Sequence, residues 1–253
     1  MNHRDHTLDG RSVWIVGAST GIGAALAEEL LERGSRVAIS ARREDKLDEV
    51  SCGRMTVVAA DVIDRAGLDA AADRVRETLG EIDIVIFNAG FWQRMDALDW
   101  DRDLFERHVD VNLLGLNNLV GAVLPRIIEN QRGRVVGVAS VAGYRGFAGA
   151  EAYGATKAAQ INMLEALRSA VRRHGISVTT VCPGFVDTEL TAANTFPMPF
   201  MISPRQAATA ICNGLERGKM EIAFPLRMAM LMKIARLLPV RVWAAATSRT
   251  AHQ

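Results

Sequence analysis

Short apolar runs alternate with longer stretches of helical spacing along most of the chain. Ser12–Val16 is a run rich in β-branched residues that stops at glycine, and Ala24–Leu31 follows with apolar positions three and four apart. Gly34 stands just past that stretch, where a helix end favours a residue without a Cβ. Arg36–Ser40 and Met55–Ala59 read as the second and third strands, and Ala66–Leu79 as an amphipathic helix ending near Gly80. Ile82–Phe87 is apolar enough for a strand buried on both faces. A long helical pattern covers about 103–130 and Arg134–Ala139 is the fifth strand. Tyr153–His174 is a helix closed by Gly175, and Ile176–Val181 is the sixth strand. This alternation predicts an α/β fold: a doubly wound parallel sheet with helices on both faces. No repeat or linker divides it, so the whole of 1–253 is expected to be one domain, less regular beyond about residue 188.

Composition narrows the function classes. Hydrophobic residues are 49% and charged residues 23% of the 253, as in an ordinary globular protein, which excludes disorder, collagen and coiled coil for the chain as a whole. Lys+Arg is 30 against 29 for Asp+Glu, so there is no excess of cations to neutralise phosphates, and no nucleic-acid partner is expected. Cys52, Cys182 and Cys212 are odd in number and form no C-x-x-C pair, so neither a disulfide framework nor a metal site is expected. The opening Met1–His6 is polar, and no stretch reaches the ~18 uninterrupted apolar residues of a membrane span. A reduced, cytoplasmic, soluble protein is the expectation, with one complication near the C-terminus.

The first strand runs into Gly17-Ala18-Ser19-Thr20-Gly21-Ile22-Gly23, which opens the first helix. Glycines there let the backbone turn tightly and approach a pyrophosphate, whose charge the free N–H groups and the helix dipole stabilise. The second strand ends in Ser40-Ala41-Arg42-Arg43, with no acid to hold the ribose 2′-OH of NAD. An arginine fork suits a 2′-phosphate, which favours NADP, and Arg42, nearer the strand than Arg43, is the expected contact. Asp61-Val62 follows the third strand where an adenine would lie, and Asn88-Ala89-Gly90 follows the fourth, with small residues that allow close backbone approach.

Tyr153 and Lys157 stand at i and i+4 and share a helix face. A nearby cation favours the phenolate, so the pair predicts a tyrosine tuned to give a proton to a carbonyl oxygen or take one from an alcohol. Ser140 ends the fifth strand, and Asn112 lies inside the long helical pattern before it. In order and spacing, Gly17-x-x-x-Gly21-Ile22-Gly23, Asn88-Ala89-Gly90, Asn112, Ser140, Tyr153-x-x-x-Lys157 and Pro183-Gly184 resemble the short-chain dehydrogenase/reductase family over roughly 10–190.

The resemblance implies a single Rossmann-type domain with a core over 10–190. A substrate lid and following helix would occupy 191–221, and an apolar, basic C-terminal segment 222–253. It implies that Tyr153 is the general acid/base and that Lys157 holds the nicotinamide ribose and lowers the Tyr153 pKa. Ser140 would hydrogen-bond the substrate oxygen, and Asn112 would fix a water in a proton relay through Lys157. Pro183, Gly184, the Val186 backbone and the Thr188 hydroxyl would border the nicotinamide. The arginine after the second strand matches NADP-preferring members. Val16 departs from the family, which often has threonine there to brace the loop.

The substrate side is read from composition. Ala192–Ile202 holds Phe196, Met198, Phe200 and Met201 and no charge, which suits a lipophilic substrate. Phe91, Trp92, Tyr144, Phe147 and Phe185 are candidate apolar walls, and no arginine is evidently placed to hold a substrate carboxylate. In 222–246, Met228–Leu238 is a helix stopped by Pro239, with Ala229, Lys233 and Arg236 on one side and apolar residues over most of the rest. Such a helix needs a cover: a partner subunit, a membrane interface or the substrate pocket. Arg227, Lys233, Arg236 and Arg241 argue against a transmembrane span.

The expectation is an NADP-dependent oxidoreductase that interconverts a lipophilic ketone and a secondary alcohol, working as a homodimer or homotetramer. The alternatives are a 3-oxoacyl carrier-protein-type reductase and, from a different class, a non-catalytic dinucleotide-sensing or scaffold protein.

Overall fold

Along each apolar run, successive side chains point to opposite faces of one parallel sheet, and both faces are covered. The computed structural model describes residues 6–247 apart from Ala193 and Thr195. The expectations for Met1–Asp5, for those two lid residues and for 248–253 lie outside the described residues. The strands are β1 (Ser12–Val16), β2 (Arg36–Ser40), β3 (Thr56–Val57), β4 (Ile84–Phe87), β5 (Gly133–Val138), β6 (Ile176–Pro183) and β7 (Glu221–Phe224). Their spatial order is β3-β2-β1-β4-β5-β6-β7. In register, Val16 lies beside Ser40 of β2 and Phe87 of β4, so three strands end together. The chain order reverses between β1 and β4, which opens a crevice at their carboxyl ends.

Strand alternation sorts the core into two layers. Val13, Ile15, Ile84, Ile86, Val136 and Val138 meet α1 (Gly21–Glu32) and α8 (Pro204–Glu216). Trp14, Val16, Val85, Phe87 and Val135 meet α3 (Arg65–Leu79), α5 (Gly115–Glu129) and α6 (Glu151–Val171). A strand packed on both faces has no solvent side, so the runs are continuously apolar.

Several bounds differ from expectation for local reasons. Strand β3 is only Thr56–Val57, because the sheet edge pairs it with β2 through Ala38 and Ile39 alone. The pattern over 103–130 comprises α4 (Arg102–His108), a π-helical turn over Val109–Leu114, and α5. Helix α6 starts at Glu151, before the expected Tyr153, and ends at Val171 in a short 3₁₀ turn that Gly175 closes at φ 71°. Strand β7 and α2 (Glu44–Ser51) carried too little periodicity to be assigned from sequence. The remaining elements are α7 (Glu189–Ala192), α9 (Leu226–Leu237) and α10 (Val240–Thr247). The run Arg102–Glu129 is long and apolar enough to cross a membrane. Its Leu116, Leu119, Val123 and Ile127 are buried in the second core layer, as in a core helix of a globular fold.

Candidate active site

The turn after β1 is shaped by close backbone approach. Gly17 has φ +93°, and a Cβ there would meet the Ala89 nitrogen at 2.3 Å, so only glycine lets β1 turn against the end of β4. Gly23 is buried beneath the turn, where a Cβ would lie 2.1 Å from the Gly17 carbonyl oxygen. The Asn88 side-chain amide donates to that same oxygen at 2.6 Å, which locks the turn to β4. Ser40 accepts from the Gly17 and Ala18 N–H groups at 2.7 and 3.2 Å. Thr20, the N-cap of α1, makes no side-chain capping bond, so the first-turn N–H groups face the crevice without a protein cap. Fixed donors at a helix start, with room for a phosphate that a side chain would fill, fit a dinucleotide.

A cleft of about 770 Å³ runs from this turn along the strand ends. Gly17, Ser19, Thr20, Gly21, Ile22, Arg42, Arg43, Asp61, Val62, Asn88, Ala89 and Gly90 line it, as do Ser140, Tyr153, Lys157, Pro183, Gly184, Val186 and Thr188. Of the residues singled out from sequence, Gly23 and Asn112 stand behind this lining and shape it. Arg42 is exposed on the rim. The Arg43 guanidinium reaches Ser19 Oγ at 3.4 Å and Glu189 at 3.3 Å, so it bridges the mouth from the glycine turn to the lid side. Asp61 accepts from the Ile63 N–H at 3.2 Å, and Asn118 holds the Val62 carbonyl at 2.9 Å.

At the inner end, the Lys157 amine is buried and donates to the Val138 carbonyl at 2.9 Å and to Gln160 Oε1 at 3.0 Å. Gln160 Nε2 in turn donates to the Asn112 carbonyl at 2.5 Å. The Gln160 side-chain amide thus connects Lys157 to the Asn112 backbone. The Asn112 side chain accepts from the Phe91 N–H at 2.7 Å and donates to the Phe91 carbonyl and Thr156 Oγ1, both at 3.0 Å. The π-helical turn carries Asn112 into this position, and hydrophobic periodicity gives no sign of it.

The electrostatics differ from the sequence expectation. Burial pushes the Tyr153 phenol up to about 12, and a hydrogen bond with Ser140 only partly offsets this. Burial pulls Lys157 down to about 7. The expected lowering of Tyr153 by its neighbour is therefore not found: desolvation outweighs the charge of an amine that is itself driven towards neutrality.

The wall nearest Tyr153 is aromatic and tied to the lid. The Trp92 ring stands edge-on to Tyr153 at 5.1 Å, and its indole N–H donates to Asn194 Oδ1 at 2.8 Å. His108, which sequence reasoning missed, is buried under this loop. Its Nε2 accepts from the Gln93 N–H at 3.2 Å while Nδ1 faces the Leu104 carbonyl at 2.8 Å. Burial holds its pKa below the ordinary value. Of the expected walls, Phe91, Trp92 and Phe196 line the cleft. Tyr144 does not: its hydroxyl donates to Glu221 behind the sheet edge. Phe147 packs edge-on against Trp243 at 5.2 Å, and Phe185 lies behind Phe196 at 6.0 Å. Phe200 and Met201 of the lid remain 45% exposed outside the cleft. Arg94 and Arg107, given no role from sequence, line the substrate side, with Arg107 over the Phe91 ring at 4.4 Å. Among the lining residues none comes from α9, which removes the pocket as a cover for that helix.

Comparison with known proteins agrees with this geometry. Residues 11–197 match the family model described as short chain dehydrogenase. An "uncharacterized oxidoreductase" of Myxococcus xanthus is 38% identical over 248 residues, covering 94% of this chain and 97% of the relative. Another so named, from Staphylococcus epidermidis, is 31% identical over 204 residues, covering 79% and 89%. A solved short-chain dehydrogenase from Streptomyces avermitilis superposes with a TM-score of 0.82 at 27% identity, covering 96% of this chain and 98% of that one. One from Burkholderia cenocepacia in complex with NADP superposes at 0.80 and 27% identity, covering 97% of each chain.

The depressed Lys157 pKa makes stability depend on pH. Between about pH 7 and the ordinary lysine value of 10.5, the unfolded chain holds a proton that the folded chain has released, so stability rises with pH. Below about 9 the thiols of Cys182 and Cys212, both raised by burial, do not yet oppose this. The thermal midpoint of the cofactor-free protein is expected to climb from pH 7 to about 9, and Lys157→Met is expected to flatten the climb. Equal slopes in calorimetry of the two proteins would contradict the assignment.

Proposed function

Because the chain belongs to the short-chain dehydrogenase family, oxidoreductases that use NAD(P), we propose that it interconverts a lipophilic ketone and the corresponding secondary alcohol, with NADP(H) as cofactor and Tyr153 as general acid/base. The observation that carries this reading is a single cleft with Tyr153, Ser140 and Lys157 at its inner end, two arginines and no acid where β2 ends, and aromatic rings between.

Bound cofactor would supply the hydride, and the protein contributes position and electrostatics. Gly17 and Gly23 keep the turn thin, so the α1 N–H groups meet the pyrophosphate. Arg42 holds the 2′-phosphate, with Arg43 as the second cation over the same rim. Lys157 holds the ribose hydroxyls, and its head group is positioned by Val138 and Gln160. Ser140 donates to the substrate oxygen and stabilises the charge that develops there. Tyr153, pushed up to about 12 by burial, keeps its proton at neutral pH and can give it to a carbonyl oxygen.

Phe91, Trp92 and Phe196 support a lipophilic substrate. Arg94 and Arg107 on the same side favour a second reading, a 3-oxoacyl chain on an anionic carrier. Purified protein with NADPH and ketones of graded chain length and ring number is expected to give rates that climb with apolar size and fall at least ~100-fold in Tyr153→Phe. A 3-oxoacyl thioester of coenzyme A that outpaces every free ketone would select the second reading. No turnover of either class, with NADPH bound, would overturn the enzymatic one.

Arg42→Ala is expected to weaken NADPH binding by roughly tenfold or more while leaving NADH binding nearly unchanged, since a charge-assisted hydrogen bond contributes about 1.5–3 kcal/mol. Equal losses in titration calorimetry would remove the phosphate contact from Arg42.

A further inference from the structure

Helix α9 is apolar on two sides, and the protein covers one. Met228, Ala229, Met232 and Ala235 are buried, with Met228 and Met232 in a cluster with Val141, Tyr144, Ile161 and Cys182. On the opposite arc, Leu226, Met230, Leu231, Ile234 and Leu237 are 73%, 63%, 55%, 57% and 83% exposed. Val240 and Val242 of α10 extend the surface. The corner between the helices is fixed: Arg145 donates to the Arg236 and Leu238 carbonyls, each at 3.1 Å, and lies over the Trp243 ring. So much apolar surface on one rigid corner marks a site of contact.

Charge indicates the contact's chemistry. Arg227, Arg236 and Arg241 are exposed around the apolar arc, Lys233 is paired there with Glu221 at 3.0 Å, and no Asp or Glu occurs after Glu221. A second copy set face to face on this surface would bring the same three arginines together, while the neighbouring acid, Glu221, is already engaged by Lys233. An anionic lipid surface offers an apolar boundary and phosphates in the matching order. The lid joins this face, because Arg227 lies over the Phe200 ring and Met201 is exposed beside it.

We propose that the α9–α10 corner, with the outer residues of the lid, docks on the surface of an anionic bilayer. Its apolar arc enters the acyl boundary, and its arginines meet the phosphates. The docking stands independently of the proposed reaction. Taken with that reaction, it brings the cleft mouth to the phase in which a lipophilic ketone dissolves.

The test is sedimentation of the full chain with vesicles, either pure phosphatidylcholine or phosphatidylcholine mixed with phosphatidylglycerol. Binding to the mixed vesicles and release by high salt are expected, with little binding to pure phosphatidylcholine. Ile234→Glu with Leu237→Glu should abolish binding, and Arg236→Glu with Arg241→Glu should weaken it by roughly fivefold or more per site. These positions are exposed, so unchanged circular dichroism is expected to show that the variants fold. Failure to sediment with anionic vesicles at low salt would overturn the proposal, as would equal binding to both compositions. A wild-type dimer that Ile234→Glu with Leu237→Glu converts to a monomer would also overturn it and assign the face to a second copy.

Discussion

A buried amine organises the inner half of this molecule. Lys157 is 4% exposed, and a lysine so placed is tolerated only with acceptors at its head group. The end of β5 provides one through Val138, and α6 provides the other through Gln160. The Gln160 amide nitrogen donates to the Asn112 carbonyl, which joins the π-helical turn to the same helix. Asn112 then pins the Phe91 backbone from both sides, and the loop that follows places Trp92 against Tyr153. Sheet, turn, helix and aromatic wall are thus connected through a few buried polar groups, each costing about 1–3 kcal/mol if left without its partner.

The same burial separates the two ends of the cleft. At the outer rim Arg42 and Arg43 are exposed to solvent. At the inner end desolvation favours neutral forms, which holds the proton on the Tyr153 phenol and makes the Lys157 amine easier to deprotonate. A parallel sheet packed on both faces makes this gradient possible, because its strand ends run from the solvated crevice at β2 to the covered end of β5.

Most of the frame was legible in the sequence, for physical reasons that also mark where reading stops. Ser12–Val16 and Arg36–Ser40 matched to the residue, because short apolar runs rich in β-branched residues and ending in turn residues have little alternative. The glycine turn was legible because only residues without a Cβ tolerate the approach of β1 to β4. Strand β3 was overextended, since pairing at a sheet edge is decided by the neighbour and not by the run itself. The roles of Gln160 and His108 left no signal, because a polar residue on a helix looks the same whether it faces water or a buried carbonyl. Tyr144 and Phe147 were misplaced for the related reason that an aromatic ring satisfies a core as well as a pocket. Of the four lid residues singled out from sequence, Phe196 lines the cleft, while Phe200 and Met201 are exposed outside it.

The central claim is that this cleft joins a hydride donor to a carbonyl held by Ser140 and Tyr153. Its most direct test is to incubate the protein with NADPH deuterated at the transferring C4 position and an aromatic ketone, then to locate the label in the product by mass spectrometry and NMR. The account predicts one deuterium on the carbinol carbon, in a single stereochemical sense. An alcohol formed without label, or label lost to solvent, would contradict it.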